Sequence, residues 1–132
     1  KLPLGKKKPA LHMSGYPGKV RQLAWDRTSR FVATGGGELV TVWDVSGKGP
    51  RGTTPLELAG HETKLTALEF QARGDVLVSG CQEGRVCLWH PARTDKGLCA
   101  AKLESEITQL AFSPDDKQLL IATADGQLQL IR

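Results

Sequence analysis

Short runs of alternating apolar and polar residues recur along the chain, and the runs themselves repeat. Val20–Trp25 (VRQLAW), Leu65–Phe70 (LTALEF) and Ile107–Phe112 (ITQLAF) share one pattern of apolar ends, an apolar fourth position and a closing aromatic, at offsets of 45 and 42 residues. A second run follows each: Phe31–Gly35 (FVATG), Val76–Gly80 (VLVSG) and Gln118–Ala122 (QLLIA). A third run closes each: Leu39–Trp43 (LVTVW), Arg85–Trp89 (RVCLW) and Gln127–Ile131 (QLQLI). Runs of five or six residues rich in Val, Leu, Ile and Thr, bounded by turn residues, predict β-strands. Asp26–Ser29, Gln71–Asp75 and Ser113–Asp116 make the first turns, with Pro114 suited to the first central position of a tight turn. Gly35–Gly37, Gly84 and Gly126 make the second turns.

A weaker fourth strand is expected at Thr53–Leu58 and Leu98–Leu103, with Pro55 marking an edge. No helical periodicity is present. Four antiparallel strands every 42–45 residues form the unit of a β-propeller blade, so the expected fold is all-β, with three repeats in an incomplete ring. The expected blades span about 14–58, 59–103 and 104–132. Ala10–Met13 is expected as a strand of a neighbouring blade, and residues 1–9 as a flexible basic tail. The chain begins at Lys1 without Met and is read as a piece of a longer propeller.

The residues resemble the WD-repeat family. Gly60-His61 opens the second copy, followed by Val78-Ser79-Gly80 and Leu88-Trp89. The first copy carries Val42-Trp43-Asp44, and the third carries Phe112–Asp116 and Asp125-Gly126. The resemblance implies a hydrogen-bonded chain of His, Ser or Thr, Asp and Trp inside each blade. The second copy offers His61, Ser79 and Trp89, with Glu83 where Asp is usual. The first offers Thr34 and Trp43, with Tyr16 replacing His. The third keeps Asp125 alone, with Leu103, Ile121 and Ile131 at the other places, so packing must hold it.

Charge sharpens the picture. The net charge of +4 comes from Lys1, Lys6, Lys7 and Lys8; the remaining fourteen Lys and Arg are matched by fourteen Asp and Glu. Nucleic-acid binding through this tail and the basic rim residues Lys19, Arg21 and Lys64 is therefore the alternative function rather than the leading one. No apolar stretch reaches the length of a membrane span, and no secretory signal pattern is present. Cys81, Cys87 and Cys99 make neither C-x-x-C nor zinc-finger spacing and fit a reducing compartment, the cytoplasm. No metal or cofactor is expected.

The histidines His12, His61 and His90 form no acid–base set, so no enzymatic activity is expected. Glu38 follows Gly35–Gly37 and repels phosphate, which makes that run a hairpin turn. Trp25, Phe70 and Phe112 are expected in the core. The leading function is a protein-interaction scaffold whose loops carry recognition. The resemblance puts one rim at Tyr16, Lys19, Arg21, Glu62, Lys64, Gln82 and Glu106. Tyr16, between Gly15 and Pro17, is the candidate aromatic anchor. The expected partners are other protein chains, the remaining blades of the same propeller, or a second copy in a homodimer.

Overall fold

The computed structural model describes residues 10–50 and 52–132. The expected tail, with its four lysines, lies outside the described residues. Blade 1 contains β1 (Gln22–Trp25), β2 (Phe31–Gly35), β3 (Val40–Asp44) and β4 (Leu56–Leu58), hydrogen-bonded in that order. Blade 2 contains β5 (Leu65–Phe70), β6 (Leu77–Cys81), β7 (Arg85–Trp89) and β8 (Gly97–Lys102), likewise in order. Blade 3 is a three-stranded sheet of β9 (Ile107–Phe112), β10 (Leu119–Thr123) and β11 (Leu128–Ile131). All strand pairs are antiparallel. The fold is thus all-β, built as propeller blades.

Local differences from the sequence expectation have physical causes. β1 begins at Gln22 rather than Val20, and β4 is only Leu56–Leu58. Pro55 has no N–H for a ladder bond and stands just outside β4. Ala10–Met13 lies in no strand and is exposed. A strand there needs a partner edge, and no edge of these three sheets takes it up.

Two apolar seams join the blades. Ala33, Val40, Val42 and Leu58 of blade 1 pack against Leu65, Phe70, Leu77, Cys87 and Trp89 of blade 2. The opposite face of blade 2, with Ala67, Val78 and Val86, packs against Ile107, Leu110, Leu119 and Ile121 of blade 3. Strand alternation sends successive side chains to opposite faces, so a sheet buried on both sides reads as a continuous apolar run. β6 is buried at every position. Gly80 sits in the second seam, where a Cβ would come within 2.5 Å of the Ile107 side chain. Gly84 turns β6 into β7 at a φ of 90°, and a Cβ there would meet the Leu103 carbonyl.

Trp25 overturns one expectation. Its counterpart Phe70 is buried, but Trp25 is 60% exposed. Phe70 lies on the face of blade 2 that meets blade 1. The matching face of blade 1 carries no blade among the described residues, so the same pattern leaves Trp25 and Leu23 in solvent.

Candidate functional site

Three features carry the functional reading: the polar chains inside the blades, the rim above them, and the two outer blade faces. In blade 2, the Trp89 indole N–H donates to Ser79 Oγ at 2.8 Å. Ser79 Oγ and His61 Nε2 are 2.6 Å apart. Ser79 Oγ can donate or accept a second bond, so the direction of its bond to Nε2 follows the imidazole tautomer. His61 is buried, and burial followed by the nearby Arg85 charge lowers its pKa to about 4. All three side chains are buried, as a polar network within a sheet stack requires.

Glu83 does not extend this chain. His61 Nδ1 and Glu83 Oε1 are both buried without a hydrogen-bond partner. Glu83 instead faces Arg85, with Oε1 3.7 Å from Nε. Its extra methylene relative to Asp lets the carboxylate reach along β7 rather than back to the imidazole.

Blade 1 solves the same problem differently. The Trp43 indole donates to the Tyr16 hydroxyl at 2.7 Å, and that hydroxyl lies 2.7 Å from Thr34 Oγ1. Thr34 Oγ1 in turn donates to the Thr41 carbonyl at 3.3 Å. Tyr16 is therefore a half-buried member of the internal chain, in the place expected of it as the replacement for His, rather than a free anchor on the rim. The phenol reaches past the place an imidazole would fill, so the indole bonds to the Tyr hydroxyl directly. A cleft of about 440 Å³ lies beside it, lined by Tyr16, Pro17, Leu39, Trp43 and Pro55 among others. Asp125 belongs to no such chain either. It accepts from Thr123 Oγ1 within its own turn, because Leu103, Ile121 and Ile131 offer it nothing to bond.

Of the rim residues, Lys64 and Gln82 bond one another through their backbones. The Arg21 N–H bonds the Gly35 carbonyl, Gln82 N–H bonds Lys64, and Ala124 N–H bonds Glu106. Each entry loop thus lies against its own second turn. The Leu65 N–H reaches the Gly37 carbonyl of blade 1, and the Leu103 N–H reaches Gly84. Lys19, Arg21, Glu62, Lys64 and Gln82 are exposed, and Glu106 is half-buried.

The opposite rim holds contacts that strand patterns do not announce. The Asp116 carboxylate of blade 3 accepts the backbone N–H groups of Ala72, Arg73 and Gly74 in blade 2, at 2.9, 2.7 and 3.0 Å. Arg27 of blade 1 pairs with Asp75 of blade 2 at 3.2 Å. Asp26 is buried, which alone would raise its pKa. Hydrogen bonds from the Thr28 hydroxyl and the N–H groups of Phe31, Thr28 and Arg30 outweigh that and hold its carboxyl below the usual range. The one available signal was the Asp26 and Asp116 turn chemistry.

The outer face of blade 3 presents Leu120, Leu128 and Leu130, all exposed. Their counterparts Val78, Val86 and Leu88 are buried or half-buried in the second seam. Among the described residues no helix is long and apolar enough to cross a membrane.

The family model of the WD domain, G-beta repeat, matches residues 7–44, 52–90 and 97–131. The chain is 30% identical over 108 residues to the Periodic tryptophan protein 2 homolog of Neurospora crassa, covering 80% of this chain and 12% of that protein. It is 30% identical over 117 residues to Coronin-7 of Rattus norvegicus, covering 84% of this chain and 13% of the relative. It is 26% identical over 106 residues to the SIR4-interacting protein SIF2 of Saccharomyces cerevisiae, covering 80% of this chain and 19% of the relative. The chain thus spans less than a fifth of the length of each of these relatives. Three matched repeats, in register with three antiparallel sheets of which two carry Trp-anchored chains, place this chain in the WD-repeat family.

Proposed function

We propose that this chain is a non-catalytic protein-interaction scaffold whose first partners are other propeller blades, supplied by a longer chain or by a second copy. The observation that carries this reading is the contrast between equivalent faces. Val78 and Val86 are covered by blade 3, while Leu120, Leu128 and Leu130 stand open at the same places. Leu23 and Trp25 stand open on the far side of blade 1. An open apolar blade face and an unpaired strand edge both favour association. In a homodimer two chains would supply six blades, with Ala10–Met13 completing the partner's three-stranded sheet. In a longer propeller the same faces are covered in cis.

The rim at Lys19, Arg21, Glu62, Lys64, Gln82 and Glu106 then serves protein recognition, with mixed charge matched to a polar partner. One relative is named for its interaction with another protein. The free cysteines accord with a cytoplasmic setting. Light scattering of the chain and of a Leu120→Glu/Leu130→Glu variant tests the reading. The parent should associate at micromolar concentration and the variant should not. A stable, monodisperse parent monomer would defeat it. Nucleic-acid binding through the lysine-rich first residues would instead show a steep loss of affinity with salt.

A further inference from the structure

Blade 2 carries a thiol pair that neither the scaffold reading nor the internal polar chain uses. Cys87 on β7 and Cys99 on β8 are directly opposite register partners on adjacent antiparallel strands. Such partners project to the same face and hold their Cα atoms about 4.5–5.5 Å apart. Disulfides span Cα separations of about 4.4–6.8 Å. The register shifts between Val86 and Cys87, so Ala100 is left without a partner in the ladder. A bulge of this kind increases local twist and re-aims the neighbouring side chain. The two thiols differ in access. Cys87 is buried beneath Gly60, whose carbonyl lies 3.8 Å from its Sγ, whereas Cys99 is exposed on the outermost strand.

We propose that Cys87 and Cys99 form a redox pair in which a peroxide joins the two sulfurs into a cross-strand disulfide that fastens β8 to the blade. Cys99 is the entry point because it is the solvent-facing thiol. Its thiolate attacks one peroxide oxygen, the O–O bond breaks, and sulfenic acid forms with release of the second oxygen as water or alcohol. Cys87 Sγ then attacks the Cys99 sulfur. The S–S bond forms, the S–O bond breaks, and the departing hydroxide takes the Cys87 proton as water. Two thiols are oxidised by two electrons and one peroxide is reduced. The buried environment supports this division of labour. Burial, and next the neighbouring Cys99, push the Cys87 thiol up to about 11, so it stays protonated and does not compete with Cys99 for the peroxide. The fastened element matters because β8 has its other edge free and is exposed along most of its length.

The test is peptide mapping of the folded chain after equimolar hydrogen peroxide. Trypsin releases Cys87 in residues 86–93 and Cys99 in residues 97–102. The expected product joins these two peptides with the loss of two hydrogens, reverts with a thiol reductant, and leaves Cys81 free. Cys99→Ser should abolish the link. Cys87→Ser should leave Cys99 as sulfenic acid, which a second equivalent of peroxide carries on to sulfinic acid. Amides of β8 should exchange roughly tenfold more slowly in the oxidised protein. A link from Cys87 to Cys81, a link formed only after unfolding in urea, or over-oxidation of Cys99 in the parent chain without any link would overturn the pair. Unchanged β8 exchange in a linked protein would overturn the fastening.

Discussion

Blades 2 and 3 read alike in sequence and differ in what surrounds them. Blade 2 is covered on both faces, and its inner strand β6 is buried throughout. Blade 3 is covered on one face only, and its last strand leaves Leu128 70% exposed. The blades also fill equivalent positions with opposite chemistry. Blade 2 places His61, Ser79 and Trp89 in a hydrogen-bonded chain, where blade 3 places Leu103, Ile121 and Ile131. Burial is thus a property of the neighbour, while strand pattern is a property of the segment. A polar chain and an apolar cluster are two solutions to one steric position, provided each is complete.

The largest expected effect breaks the apolar solution. Ile121 is fully buried in the second seam, so Ile121→Ala should cost about 2–5 kcal/mol through the cavity it leaves. The equivalent pair Val86 and Leu128 isolates the role of the neighbour. Val86→Ala should cost at least ~1.5 kcal/mol from two lost methyl groups, and Leu128→Ala close to nothing in an unassociated chain. Urea melts of the three variants measure this. Equal losses at Val86 and Leu128 would mean that the outer face of blade 3 is covered in solution.

Breaking the polar solution comes next. Ser79→Ala leaves the Trp89 N–H and the His61 nitrogen without partners in a buried site, at a cost of about 1–3 kcal/mol. Tyr16→Phe does the same to Trp43 in blade 1, at the lower end of that range because Tyr16 is only half-buried. Indole N–H exchange followed by NMR reports each bond directly. A neutral Ser79→Ala melt would show that the network contributes geometry and not stability.

Acid sharpens the same comparison, because blade 3 has no titrating core group to answer it. His61 is neutral when folded down to about pH 4, while an unfolded histidine takes up a proton near 6.5. The unfolded state therefore binds more protons between those values, and stability falls as pH drops from about 6.5 through 4. Asp26, held below the usual carboxylate range, adds stability that is lost only at still lower pH. The urea midpoint should decline across the upper window in the parent chain and flatten there in His61→Gln. A decline that persists unchanged in His61→Gln would locate the titration elsewhere.

The strand order and the blade count were legible because alternation and turn residues act locally. Ten of the expected strand segments overlap the observed strands closely, and Thr53–Leu58 shortens because Pro55 cannot join a ladder. The His61–Ser79–Trp89 chain was legible through resemblance. The place of Tyr16 in the blade 1 chain was legible in the same way, but its direct bond to the indole was not, since a phenol's reach depends on where two strands put their side chains. Trp25 was misread because the pattern of β1 matches β5, and only the presence of a packed blade distinguishes a core aromatic from an exposed one. Glu83 failed for a difference of one methylene. Contacts between turns of different blades, such as Arg27 with Asp75, follow from the packing angle and leave no trace in a repeat alignment.

The smallest expected effect concerns how blade 3 is tied to blade 2 away from the apolar seam. Asp116 sits at a φ of 60°, a left-handed conformation that Asp tolerates better than most side chains. Its carboxylate gathers three consecutive N–H groups of the facing turn, which would otherwise bond water. The rim is open to solvent, so water replaces much of what is lost, and removal should cost only ~1 kcal/mol. Asp116→Ala would confound this loss with backbone strain. Asp116→Gly adopts that φ freely and removes the carboxylate, while Asp116→Asn retains one acceptor oxygen. Because glycine also changes backbone strain and unfolded-chain entropy, the readout is the amides: those of Ala72, Arg73 and Gly74 should exchange faster in the order parent, Asn, Gly. If those amides keep their parent rates in Asp116→Gly, blade 3 is held to blade 2 by its apolar seam alone, and the two blades differ by one fewer kind of contact.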